Sequence, residues 1–286
     1  MAIAYAALSA LCFGLALITG RIGLRAVDAR TGAAISIPTA TLLLVITVPF
    51  AFDPSGYDWR AAVVFAAVGL FFPAVVTLLT FRANELLGPT MTSAVSGTAP
   101  LFALIAAALL LQERVPPQAA ASATGIVIGI ALLSWKKNGA SAHVPHRALL
   151  WPVAGAVVRG LAQAVAKAGL LLWPAPFAAA LIGYLVSSAT VIGAHRARGV
   201  NRPRASRSAV AWFALTGLLN GSAVLLMYGA LALAPVWTVA PIVAAYPLVT
   251  AVLGTLLLHD EKLTLPGAVG ATITVAAVVC LVGAPR

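Results

Sequence analysis

Two positive charges interrupt an apolar run of this sequence, within the stretch VVRGLAQAVAKAG at residues 157–169. Arg159, Gln163 and Lys167 are spaced four residues apart, so on a helix they form one stripe about 80° wide. A basic side chain at the centre of a bilayer costs about 2.5–3.5 kcal/mol, which favours a position facing a protein interior or a wet cavity. The stripe therefore suits the binding of a carboxylate or phosphate on a small molecule.

Each cation also has a structural interpretation. Lys167 lies nearer the end of the run, where its aliphatic stem could let the ammonium group reach the membrane interface. Arg159 could instead bind backbone carbonyls that a glycine or proline has freed elsewhere. All seven acidic residues lie in loops or at the ends of apolar segments, so we expect no protein carboxylate to pair with either cation.

Polar and aromatic residues recur at helical spacing in other apolar segments. Such groups more often join membrane helices than bind ligands, but together they would give a cavity a polar lining with aromatic walls. Glycine and proline in these segments could bend the helices. The remaining candidate substrate-binding residues are Phe13, Thr80, Ser96, Asn220, Tyr228 and Tyr246, and the candidate hinge residues are Gly97, Pro100 and Pro247.

The composition is that of an integral membrane protein. Of the 286 residues, 62% are hydrophobic and 9% are charged, against about 25% charged in soluble domains. A net charge of +11 would suggest nucleic acid as the partner of a soluble protein. Here the cations lie mostly in short loops, where topology and anionic lipid headgroups account for them. We expect membrane lipids and a small molecule as partners, and no nucleic acid.

Ten apolar segments approach the length of about 20 residues that a helix needs to cross a bilayer. An all-α integral membrane fold is therefore expected, and alternating transmembrane strands are not. Thirteen of the 18 Lys and Arg residues fall in loops on one side, which predicts that this side is cytoplasmic and that both termini are outside. The predicted segments are 2–20, 32–52, 61–79, 90–111, 118–135, 149–172, 177–193, 209–231, 236–258 and 266–282.

The two halves of the chain resemble each other at a nearly constant offset. The stretch VGLFFPAVVTLLTFRANELLG corresponds to TGLLNGSAVLLMYGALALAPV, and LLLQERVPP corresponds to LLLHDEKLTLP. The paired residues are Gly69 with Gly217 and Glu113 with Glu261 at an offset of 148, and Phe13 with Arg159 and Arg21 with Lys167 at an offset of 146.

Five segments in each half would give the halves opposite orientations in the membrane. We therefore expect two inverted five-helix repeats, residues 1–140 and 141–286, around a central cavity. Inverted repeats are characteristic of secondary transporters, whose halves move around a site near the midplane. The sequence leaves the oligomeric state open, and a monomer is compatible with it.

Three motifs resemble a known family. They are CFG at 12–14 with Arg21 behind it, TAPLFALIAAALLLQERVPP at 98–117 and AAYPLVTAVLGTLLLHDEKLT at 244–264. In order and duplication they resemble the ten-helix, EamA-type members of the drug/metabolite transporter superfamily, over essentially the whole chain. The chain departs from the family pattern at Phe13, where a tryptophan is usual, and at the corresponding Arg159.

The resemblance implies a secondary transporter of the inner (plasma) membrane that exports or exchanges small metabolites by alternating access. Members include exporters of amino acids, among them the YddG-like exporters of aromatic amino acids, and relatives carry drugs, sugar phosphates or nucleotide sugars. The small four-helix relatives use a first-helix glutamate for proton antiport of lipophilic cations, and residues 2–20 contain none. Anionic recognition with aromatic walls favours an amino acid with an apolar or aromatic side chain, with phosphorylated cargo and drugs as alternatives.

An enzyme is the main rival class. The four histidines show no metal-ligand spacing and no nucleophile lies beside a base, although HDE at 259–261 forms one small cluster. We expect no enzymatic activity, no metal and no cofactor. A purely structural or lipid-interacting protein is the third alternative.

Overall fold

The protein is all-helical throughout the part that the structure, a computed structural model, describes, which is residues 1–133, 146–196, 206–254, 256 and 265–283. The helices are α1 (Ala2–Gly23), α2 (Ala29–Ala51), α3 (Trp59–Phe71), α4 (Ala74–Ser96), α5 (Ala99–Leu110), α6 (Pro117–Leu133), α7 (His146–Leu172), α8 (Pro176–Arg196), α9 (Arg207–Leu233), α10 (Val236–Val243), α11 (Tyr246–Leu253) and α12 (Leu265–Val282). The predicted all-α class is confirmed for these residues.

Most of these helices are long and apolar enough to cross a membrane. Within the described residues, eight helical stretches meet that requirement, and one of them is the 52-residue stretch Trp59–Leu110. A ninth apolar helix, Pro117–Leu132, is shorter. A multi-pass membrane protein is therefore confirmed.

The predicted boundary at residue 79 is wrong. After a bend at Phe72 and Pro73 the chain continues as α4, which is itself interrupted at Gly88. Gly88 has a φ of 79°, in the left-handed region that glycine enters without steric cost. Pro89 follows and has no amide to donate to the carbonyl four residues earlier. This break lies within the predicted loop 80–89, but residues 80–87 are helical. The bend at Phe72 and Pro73 lies inside the predicted segment 61–79 and was not predicted.

Two helices end in a short turn just before a proline. α4 ends at Ser96 and α5 begins at Ala99, while α10 ends at Val243 and α11 begins at Tyr246. Pro100 and Pro247, the second residues of α5 and α11, occupy a first turn, where a missing amide costs little. The candidate hinge residues thus lie at real interruptions, and their movement stays a prediction.

Helices from the two halves pack against each other and bury polar contacts between them. α1 packs along α9, and α2 packs along α8. The Ser9 hydroxyl donates to the carbonyl of Ala223 over 2.7 Å, and the hydroxyls of Thr41 and Ser188 lie 2.6 Å apart. These bonds satisfy hydroxyl groups that lipid could not satisfy.

Candidate functional site

Arg159 lies in the interior of α7, with only 7% of its surface exposed. Its guanidinium carbon is 4.9 Å from the ring centre of Phe13 and 5.6 Å from that of Tyr246. Such contacts stabilise a cation by about 0.5–2 kcal/mol. The Nε and Nη1 atoms have no hydrogen-bond partner, and no carboxylate in the described part of the chain forms an ion pair with this residue. Two guanidinium nitrogens, which carry three N–H donors between them, are therefore buried without an acceptor.

Two glycines bring the interrupted helices up to Arg159. A Cβ atom on Gly160 would lie 2.8 Å from the carbonyl oxygen of Ala99, the first residue of α5. A Cβ atom on Gly14 would lie 2.6 Å from Cβ of Val249 in α11. The first turns of α5 and α11 therefore pack directly against α7 and α1 at the level of the guanidinium group.

Two adjoining cavities lie against the guanidinium group. Both are small, and one is slightly larger than the other. Of the predicted residues, Phe13, Thr80, Arg159 and Asn220 line both, and Tyr246 lines the smaller. The sequence thus identified much of the lining of this space from polar and aromatic spacing alone.

Three aromatic residues of the lining were not predicted. Phe72 and Tyr184 line the larger cavity, and Phe81 lines both. Tyr184 lies in α8, and Ser187 and Ser188 follow it three and four residues later, so these polar residues share one face of the helix. This spacing is the signal that could have identified Tyr184 from the sequence.

Several buried polar atoms around this space have no partner. They are Thr80 Oγ1, the Tyr184 hydroxyl and two nitrogens of Arg159. Buried polar groups in proteins are nearly always hydrogen-bonded, so a cluster of unpaired ones calls for water or a ligand. Gln163, Ser96 and Tyr228 are buried but do not line the two cavities, and their predicted contact with substrate remains a prediction.

Lys167 binds backbone carbonyls at the end of another helix. Its Nζ atom donates to the carbonyl of Leu231 over 2.7 Å and to that of Ala234 over 3.2 Å. Only 8% of the residue is exposed, so the ammonium group does not extend to the surface. These carbonyls end α9, where the helix dipole favours a cation. The sequence suggested that Arg159 could bind backbone carbonyls. In the structure Lys167 makes this kind of contact.

Among the described residues Lys167 forms no ion pair, but one carboxylate lies within electrostatic range of it. Glu113 lies close enough to act electrostatically on its ammonium group. The two Glu113 carboxylate oxygens also accept from the amide of Val236 at 3.2 and 3.1 Å. Val236 is the first residue of α10, so the carboxylate lies at the positive end of that helix. The two charges together hold the α9–α10 junction.

Lys167→Met is expected to lower the free energy of unfolding by about 1–3 kcal/mol, because two carbonyls lose a charged donor and Glu113 loses its nearby cation. Thermal unfolding of the purified protein in detergent measures this. Lys167→Arg keeps a donor and should recover much of the loss. Wild-type stability in Lys167→Met would contradict the structural role and leave cargo binding as its function.

Arg21 makes the matching contact in the first half of the chain. Its Nη1 atom donates to the carbonyl of Asn84 over 2.8 Å and to that of Glu85 over 3.4 Å. Glu85 precedes Pro89 by four residues, as Leu231 precedes Pro235. A proline cannot donate to the carbonyl four residues before it. Each cation therefore binds a carbonyl that a proline leaves without its helical partner.

No group of three or more potential metal ligands occurs within the described ranges. His143 and the HDE cluster at 259–261 lie outside those ranges, as does Glu261, the counterpart of Glu113.

Comparison with known proteins identifies a transporter family. The sequence profile described as "EamA-like transporter family" matches residues 1–135 and 146–283. No protein of curated function matches significantly. A solved structure described only as "Crystal structure of protein" is similar over 96% of this chain and 94% of its own, with a TM-score of 0.74 and 15% identity. At that identity the likeness shows a shared fold.

Proposed function

Because this chain belongs to the EamA-like transporter family, we propose that it is a secondary transporter of small metabolites that carry an anionic group. The observation that carries the proposal is the buried guanidinium group of Arg159, whose Nε and Nη1 atoms lack partners beside a cavity. A buried charge without a partner is costly, and an anionic cargo would supply the missing acceptor. A charged side chain inside a membrane helix is costly and typically marks a substrate pathway. A role in transport would therefore account for Arg159 in an apolar helix.

The cargo that fits best is an amino acid with an apolar or aromatic side chain. The cavities combine one cation with the rings of Phe13, Phe72 and Phe81. A phosphate ester would favour two or more converging cations, and Lys167, the other deep cation among the described residues, is bonded to carbonyls. The arrangement therefore supports a carboxylate over a phosphate, and a YddG-like exporter of aromatic amino acids is the subtype we propose.

Equivalent contacts in the two halves of the chain support ten membrane-spanning segments arranged as two inverted repeats. Gly14 packs on α11 as Gly160 packs on α5, and Arg21 binds carbonyls before Pro89 as Lys167 does before Pro235. These pairs follow the sequence offset of 146. The family profile also matches two separate ranges. The proposed boundary between residues 140 and 141 lies outside the described residues.

Alternating access would use the interruptions between α4 and α5 and between α10 and α11. In transporters with inverted repeats, discontinuous helices border the substrate site. Gly97 is tightly packed, since a Cβ atom there would lie 2.8 Å from Ile130 Cδ1. We propose that Gly97, Pro100 and Pro247 are the points at which the two repeats bend during transport. Gln163, Ser96 and Tyr228, which are buried but do not line the cavities, would join the binding surface after such a movement.

The remaining features of the proposal follow from the loops and the family. We propose an inner-membrane location with both termini outside, as the distribution of cations favours. The binding unit would be a monomer, with which the sequence is compatible. No catalytic step and no cofactor form part of the mechanism.

Uptake into proteoliposomes tests this function. Labelled phenylalanine, leucine, lysine, glucose 6-phosphate and a lipophilic cationic drug are compared under an outwardly or inwardly directed gradient. We expect saturable uptake of the apolar amino acids, and weaker or no uptake of lysine, the phosphate ester and the drug. Saturable uptake of the cationic drug alone would contradict anionic recognition.

A further inference from the structure

Tyr184 places a second hydrogen-bond donor beside the guanidinium group. It lies in α8, its exposed fraction is 1%, and its hydroxyl group has no hydrogen-bond partner. It lines the same cavity as Arg159, and the two groups are close enough to interact electrostatically. A phenol so deeply buried normally bonds to something, so the free hydroxyl points to a ligand atom.

The donors at this cavity all favour negative charge. Arg159 contributes two unpartnered nitrogens with three N–H groups, and Tyr184 contributes one O–H group. α11 begins at Tyr246, which lines the smaller cavity. The positive end of that helix dipole therefore lies beside the same space. A carboxylate has two oxygens with about four acceptor sites, enough to bond both side chains at once.

The lining of the two cavities offers no acidic side chain to a positive charge on the cargo. Among the residues that line the two cavities there is no aspartate or glutamate. The ammonium group of a zwitterionic amino acid would therefore lie close to Arg159 without a carboxylate to offset the repulsion. The competing acceptors are the side-chain oxygens of Asn220 and Thr80 and backbone carbonyls at the helix interruptions, and all of them carry only partial charge.

From these contacts we infer that the cargo is recognised through its anionic group alone. Arg159 and Tyr184 donate to one carboxylate, and the aromatic rings pack against an apolar body. The cargo class is then aromatic or apolar monocarboxylates, in which an α-ammonium group is dispensable. This inference rests on the proposed function and narrows the chemistry of its site.

Three compounds that share a phenyl ring but differ in charge test which charged group of the cargo is recognised. The purified protein is titrated calorimetrically with 3-phenylpropionate, phenylalanine and phenethylamine, which are anionic, zwitterionic and cationic. We expect 3-phenylpropionate to bind as tightly as phenylalanine, within about threefold, and phenethylamine to bind at least about 30-fold more weakly. Binding of phenylalanine more than about tenfold tighter than 3-phenylpropionate would overturn the inference and leave the proposed function intact. If none of the three binds, the inference fails, and the uptake panel decides the proposed function separately.

Tyr184→Phe tests the second donor without removing the ring. We expect the affinity for 3-phenylpropionate to fall about 10- to 100-fold, since a hydrogen bond to a charged group is lost. Tyr57→Phe is the matched control, because that exposed phenol ring packs against Trp173 and does not line the cavities. Unchanged affinity in a folded Tyr184→Phe protein would overturn the assignment of this residue. If that variant does not fold, Tyr184→Leu, which also lacks the hydroxyl donor, serves in its place. The same loss of affinity is expected, and an unchanged affinity would equally overturn the assignment.

Discussion

Arg159→Met should abolish saturable uptake of an anionic cargo while leaving the protein at least as stable as the wild type. Loss of one partner from a buried, hydrogen-bonded charge pair costs about 2–5 kcal/mol of binding free energy. Since each 1.4 kcal/mol is about tenfold in affinity, the expected loss is about 30- to 3,000-fold. Removal of an unpaired charge from an apolar helix also relieves its insertion cost. Stability and transport should therefore change in opposite directions.

The control for this variant is another arginine over an aromatic ring. Arg60 lies 5.8 Å from the ring centre of Trp59, at the start of α3 and away from the cavities. Arg60→Met should leave uptake unchanged. Arg159→Lys should retain part of the uptake, because the charge remains but the planar donor pair is lost. Normal uptake by Arg159→Met, with normal folding, would exclude Arg159 as the cargo ligand.

Gly217→Ala is expected to have the largest effect on stability. A Cβ atom at Gly217 would overlap the carbonyl oxygen of Ser36, because α9 and α2 touch backbone to backbone there. Overpacking in a tight interior costs about 1–3 kcal/mol, and a backbone atom has little room to move. We expect the upper end of this range, measured as a lower unfolding temperature in detergent. The same substitution at Gly69 should act similarly, since its Cβ atom would lie 2.7 Å from the carbonyl oxygen of Gly183.

Gly193→Ala is the matched control for this prediction. Gly193 lies in α8, and a Cβ atom there would have no neighbour within 4 Å. Alanine favours a helix over glycine by about 1 kcal/mol, so this variant should be as stable as the wild type or more so. If Gly217→Ala unfolds at the same temperature as Gly193→Ala, the close packing of α9 on α2 is contradicted.

The helices and much of the cavity lining were predictable because both depend on local patterns. Apolar runs of the right length indicate membrane helices, and Arg159 was conspicuous as a charge inside such a run. The pairing of the two halves by offset also carried information. It matched Arg21 with Lys167, and both residues prove to bind carbonyls before a proline.

The features that were missed depend on contacts between segments distant in sequence. The partners of Lys167 belong to α9, 64 residues further along the chain, so no local pattern reveals them. Glu113 follows α5 in what a hydropathy profile reads as a loop, yet it bonds to the first amide of α10. Tyr184 shares one face of α8 with Ser187 and Ser188, but that spacing does not reveal that Tyr184 lines the same cavity as Arg159.

The central claim is that Arg159 holds the anionic group of the cargo. Isothermal titration of the wild type and of Arg159→Met, with the best-transported amino acid and with its amide, tests this claim directly because the two compounds differ at the carboxylate. The wild type should bind the acid at least about 30-fold more tightly than the amide, and Arg159→Met should bind both with similar, weak affinity. An Arg159→Met protein that keeps the wild-type preference for the acid would contradict the claim.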